Sequence, residues 1–224
     1  MSIVVSPAAV KVASLKQHIN ALLQQSGWEE KIHDQAEANR QQPLGLYGAL
    51  IIEPKAAAVK YDADYTLLLG EWRVTEGKTY PAMELEGMLP NYFTINGKAY
   101  PSTETIKVKQ GQQVLLRFIG SGQFIHPMHV HGQPFEIIAT DGNPVPETAR
   151  IKKDTVLVGP GERYDVAFTA CAPGKWLIHC HINHHIMNDG REEQGGGGLT
   201  MILEVTPLSR GWQQLAPSFC AFCV

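Results

Sequence analysis

The chain has 224 residues with a formal charge of −3, and 44% of its residues are apolar while 18% are charged. This composition supports a buried core, argues against disorder, and lacks the basic excess of a nucleic-acid binder. No apolar run approaches the ~18 residues of a membrane span, and the opening MSIVVSPAAVKVASLKQH lacks the regions of a secretory signal.

In chain order, Val12, Leu15, Ile19, Leu22 and Leu23 fall at helical spacing in a Gln-, Glu- and Ala-rich stretch. That predicts a short helical segment within residues 12–40, interrupted at Gly27. GLYGALIIEP (45–54) reads as a short strand ended by Pro54, and 56–64 as a linker. The pattern then changes to strands at short intervals. YTLLLGEWRV (65–74) is one, and YFTING (92–97) ends in an Asn-Gly turn signal. ETIKVKQG (104–111), QQVLLRFIG (112–120) and PFEIIATDG (134–142) follow. DTVLVGPGERYDVAFTA (154–170) reads as two strands about a Pro-Gly turn, and KWLIHCHI (175–182) and LTMILEV (199–205) complete the set. Many short strands with Gly/Pro turns predict an all-β sandwich with Greek-key connections.

Seven of the nine histidines lie between His126 and His185, in two clusters: His126-Pro-Met-His129-Val-His131 and His179-Cys180-His181-Ile-Asn-His184-His185. Alternate side chains of a strand share a face. His129 and His131 therefore point one way together. His179 and His181 do the same, while Cys180 points the other way. A thiolate with two imidazoles and a weak or missing further ligand is the blue-copper donor set. His126 and His185, or its neighbour His184, are the imidazoles available to Cys180. His129, His131, His179 and His181 supply four imidazoles without a thiolate on the other face, which suits an oxygen-binding copper cluster. Zinc also takes His and Cys and is the competing metal, but four ligands suffice for it. Inert core or surface histidines explain such clustering poorly.

HPMHVHG (126–132) and HCHINHH (179–185) closely resemble the two C-terminal copper motifs of the multicopper oxidases, the laccase family. GLYGALIIEP resembles the closing strand of that family's preceding cupredoxin domain, and NYFTINGKAYP (91–101) and VLVGPGERYDV (156–166) resemble stretches of its last domain. The resemblance covers roughly residues 43–206 and is closest to the bacterial branch with two cupredoxin domains. It implies a cupredoxin-type Greek-key β-sandwich at 60–207, a helical segment with a remnant strand at 1–59, and a tail at 208–224. By motif position, His126, Cys180 and His185 look like type 1 copper ligands, His129 like the type 2 ligand, and His131, His179 and His181 like type 3 ligands. The implied activity is one-electron oxidation of phenolic or aromatic amine substrates coupled to dioxygen reduction. Substrate electrons then pass through His185, which should lie near the surface. Family members are usually periplasmic or extracellular.

Two departures qualify that reading. The family places its axial type 1 residue soon after the last histidine, whereas here IMNDGREEQGGGG (186–198) intervenes. Leu199 best resembles the axial, non-ligating position, with Met201 and Met187 as alternatives, and Gly195–Gly198 is either a hinge or loop length. The family's cluster also needs eight histidines, and only His18 and His33 precede residue 126 here, neither in a His-x-His. The type 2 and type 3 positions are therefore half supplied. This leaves three expectations open: an oxidase with impaired activity, a homo-oligomer that completes the site, or a single-copper carrier without turnover. Cys220-Ala-Phe-Cys223 reads first as an incidental tail pair, with half a zinc site, a disulfide or a redox pair as alternatives, Cys171 as a packed or loop cysteine, and Trp72 and Trp176 as core aromatics.

Overall fold

In a computed structural model, the structure describes residues 29–33, 42–51, 59–82 and 89–208. Val12 to Leu23 and the Cys220/Cys223 pair lie outside these residues. Within the stretch read as helical, Glu29–His33 is instead a strand (β1), antiparallel to β2 at Tyr47–Ile51. Pairing with β2 outweighs the local helical composition there. Among the described residues there is no α-helix, only single 3-10 turns at Glu147–Ala149 and Asn183–Ile186.

The rest is a two-sheet sandwich of the cupredoxin type. β3 (Ala63–Thr75) is long enough to pair with three neighbours: β4 (Lys78–Tyr80), β5 (Tyr92–Ile95) and, in parallel, β7 (Gln113–Gly120). β13 (Arg163–Thr169) continues that sheet beyond β7, and β9 (Phe135–Thr140) lies beyond β13. The short β10 (Asn143–Pro144) and β11 (Lys152–Lys153) both pair with β9. The facing sheet runs β12 (Thr155–Val158), β8 (His126–Val130), β14 (Gly174–Cys180), β15 (Thr200–Thr206) and β6 (Ile106–Lys109). β15 and β6 are parallel, so the strand order departs from a simple meander, as Greek-key connections require.

Strand alternation builds the core. Ile106 and Val108 of β6 are buried while Lys107 and Lys109 are exposed. Leu67, Leu69, Phe93, Leu116, Phe118, Val166, Ile178 and Leu203 join one cluster between the sheets. Each such buried side chain contributes about 1.5–3 kcal/mol of apolar burial. The Asn-Gly signal is a tight turn: Asn96 and Gly97 both have positive φ, and Ile95 and Lys98 exchange backbone hydrogen bonds. The two strands about Pro160-Gly161 exist, but they are not a hairpin. β12 pairs with β8 while β13 pairs with β7 and β9, so the turn carries the chain from one sheet to the other. It is stitched to the end of β7, where Gly120 N–H donates to the Glu162 carbonyl and Gly161 N–H to the Gly120 carbonyl. Trp72 and Trp176 are half-buried at the sandwich margin, each donating its indole N–H, to Thr94 Oγ1 and to the Ala172 carbonyl respectively.

Candidate metal centre

The two histidine clusters lie on adjacent strands. On β8 the burial pattern alternates, with His126, Met128 and Val130 buried and Pro127 and His129 partly exposed. On β14, Ile178 and Cys180 are buried while His179 is partly exposed. Antiparallel pairing sets His129 opposite His179 and Met128 opposite Cys180. The inward face thus receives Cys180 and His126, and the outward face receives His129, His131, His179 and His181.

Inward, His126, Cys180 and His185 place their ligand atoms within 4.8 Å of one another. The Nδ1 atoms of His126 and His185 are 3.2 Å apart, and Cys180 Sγ lies 3.5 Å from His185 Nδ1. Two imidazole nitrogens and one sulfur converge in a site closed to water, a set compatible with type 1 copper. Burial pushes the Cys180 thiol up to about 11, against the Ile182 N–H that donates to its sulfur. Burial, then the neighbouring His126 and His184, push His185 down to about 3. A neutral imidazole keeps its lone pair for a metal.

His185 does not lie near the surface; it is 2% exposed. Phe93 of β5 stacks on its ring at 4.0 Å, and its carbonyl accepts the Leu199 N–H. His184 is the exposed imidazole, its ring 4.3 Å from that of His185. Leu199 is fully buried, and its carbonyl accepts the Cys180 N–H. The insertion that separates it from His185 folds back tightly. Asn188 accepts the Gly198 N–H on Oδ1 and donates from Nδ2 to the Tyr100 carbonyl. Gly198 sits at φ +47, where a Cβ would meet the His185 carbonyl oxygen at 2.0 Å. That position requires glycine for close backbone approach, which accounts for one residue of the Gly195–Gly198 run by packing.

Outward, four imidazoles form a ring of neighbours, with centroids 4.6 Å apart for His129/His131, 5.0 Å for His131/His179 and 5.1 Å for His179/His181. His131 Nε2 and His179 Nε2 lie 2.8 Å apart. His129 donates Nδ1–H to the Asp154 carbonyl and His179 donates Nδ1–H to the Cys180 carbonyl. A carbonyl only accepts, so both rings keep the Nε2 lone pair outward, as metal ligation requires. Burial and the neighbouring imidazoles hold His129, His131 and His179 below the ordinary histidine range, keeping them neutral near pH 7.

Two contributors were not singled out from the sequence. Phe93 carried no metal signal. Glu71 stands alone as an acid in the apolar strand LLLGEW, and its side chain is 1% exposed, with Oε2 3.3 Å from His126 Nε2.

A sequence profile described as Multicopper oxidase matches residues 75–190, just over half of the chain. The curated multicopper oxidase MmcO of Mycobacterium tuberculosis is 38% identical over 102 residues, covering 45% of this chain and 19% of that protein. Laccase-5 of Trametes villosa is 28% identical over 144 residues, covering 62% of this chain and 26% of that protein. The chain therefore spans only about a fifth to a quarter of these relatives. Among solved structures, the blue copper oxidase from Nitrosomonas europaea superposes with a TM-score of 0.70 at 34% identity, covering 81% of this chain and 57% of that one. Profile, relatives, sandwich and the His-Cys-His cluster agree: this chain belongs to the copper-binding multicopper oxidase family.

Proposed function

We propose that the chain carries the electron-accepting centre and half of the oxygen-reducing cluster of a laccase-like oxidoreductase. In this reading His126, Cys180 and His185 would hold type 1 copper, and the buried Leu199 would stand at the non-ligating position beside it. His129 serves type 2 copper, and His131, His179 and His181 serve the type 3 pair. Copper so held supplies one-electron oxidation of phenols or aromatic amines coupled to dioxygen reduction; the likeness to a protein named Laccase-5 supports that substrate class.

The observation that carries the proposal is the division of one strand between two sites. Cys180 enters the inner site while His179 enters the outer face, and the Nδ1–H of His179 donates to the Cys180 carbonyl. The two sites are thus joined by one residue of backbone and one hydrogen bond. Burial of Cys180 and His185 excludes water from the sulfur. Leu199 offers no donor atom, and an axial position without one raises the potential relative to methionine.

The outer face presents four imidazoles among the described residues, and in this reading the remainder comes from another chain or another part of the protein. Two copies could meet across a twofold axis. The test is oxygen uptake with a phenolic substrate over a dilution series, alongside mass in solution. Low activity that grows with protein concentration is expected. Full, concentration-independent turnover by a monomer would overturn the half-site reading. The second reading, a single-copper electron carrier, is favoured by that same count of four and predicts no oxygen uptake at any concentration.

A further inference from the structure

We propose that Glu71 is a positioning residue of the inner site, orienting His126 and lowering the reduction potential of copper bound there; this rests on the type 1 reading above. The imidazole of His126 is pinned at both nitrogens. Nδ1 faces His185 Nδ1 at 3.2 Å, and Nε2 faces Glu71 Oε2 at 3.3 Å. A metal ligated at Nδ1 requires the proton on Nε2, and a carboxylate is the acceptor that fixes that tautomer.

Glu71 is itself held in place. Its Oε1 accepts the backbone N–H groups of Gln123 and Phe124, from the loop that leads into His126. Two backbone donors thus converge on Oε1 and fix the carboxyl group, leaving Oε2 turned to His126 Nε2. Gly122 makes room for it: a Cβ there would fall on the carboxylate. Such a buried anion is costly unless it is bonded or opposed by charge. Copper(II) with one thiolate carries a net positive charge and copper(I) with one thiolate carries none. The carboxylate therefore favours the oxidised state, both by its field and by making His126 a stronger donor. Its effect opposes that of the apolar Leu199.

The test compares the wild type with Glu71→Gln and Gly122→Ala. The second variant displaces the carboxylate without changing its chemistry, and so decides the matter if the first does not fold. In the copper-free wild type, nitrogen-15 NMR should show His126 protonated on Nε2. In each copper-loaded variant the blue band should persist. Copper(II) affinity should fall about tenfold relative to copper(I), a rise in potential of ~59 mV for a one-electron couple. Blue variants with an unchanged or lower potential would overturn the role of Glu71. A wild type without blue copper would instead overturn the type 1 reading, and this proposal with it.

Discussion

His129 and His179 stand directly opposite one another on β8 and β14, and the next rung pairs Met128 with Cys180 on the other face. A one-residue step along β14 therefore moves the chain from one candidate metal site to the other. A register slip of one residue would exchange the faces of every ligand on the slipped strand. The hydrophobic rungs Ile178/Val130 and Met128/Cys180 are buried and fix that register.

Cys180→Ser keeps the side-chain shape but replaces a soft sulfur with a hydroxyl, a poor donor for this copper. The variant should fold, with an unchanged far-ultraviolet circular dichroism spectrum. It should lose the blue absorption and all substrate oxidation. Retained oxidation would show that electrons enter elsewhere.

His184 and His185 are neighbours with different surroundings. His185 is buried against Phe93, while His184 is exposed. His185→Ala should abolish the blue band and substrate oxidation, and His184→Ala should preserve the band with a mild effect on rate. Visible spectra of the two copper-loaded variants check this, and a reversed result would move the ligand by one residue.

The copper-free protein should lose stability in acid. His185 is held down to about 3 in the folded chain, mainly by burial, against about 6.5 when unfolded. Between these values the unfolded chain binds a proton that the folded chain refuses. Stability is therefore full above about pH 6.5, falls as pH drops, and levels off near pH 3. The whole span is worth on the order of 5 kcal/mol. Urea unfolding midpoints against pH should show this slope, and His185→Leu should make it shallower, leaving the part that His129, His131 and His179 contribute in the same direction.

Gly198 and Gly195 separate two effects of one substitution. Both have positive φ, but a Cβ at Gly195 meets nothing within 4 Å, while one at Gly198 would strike the His185 carbonyl. Gly195→Ala should cost about 1–2 kcal/mol, the left-handed conformation alone. Gly198→Ala should cost more and should also weaken copper binding, because it displaces the His185 backbone. Thermal melting and copper titration of the pair distinguish them.

Much of this was legible in the sequence because it depends on short periods. The period of two in HPMHVH and WLIHCH assigns faces, and Asn96-Gly97 marks its turn. What was not legible depends on residues far apart in the chain. Glu71 reaches His126 across 55 positions, and nothing in LLLGEW reports the loop that binds it. The burial of His185 depends on Phe93 and on the fold-back of the insertion, neither of which the spacing of HCHINHH contains. Glu29–His33 has a helix-friendly composition, yet pairing with Tyr47–Ile51 makes it a strand. The Pro160-Gly161 turn looks local, but the partners of its two strands lie in opposite sheets.

The most direct test of the central claim is a copper count per chain with a visible spectrum, taken on dilute protein and again on concentrated protein. Dilute protein should hold one tightly bound copper per chain, with an intense blue band that Cys180→Ser removes. Further copper should bind only as chains associate. Copper without a blue band, or a full three or four coppers on a dilute monomer, would contradict it.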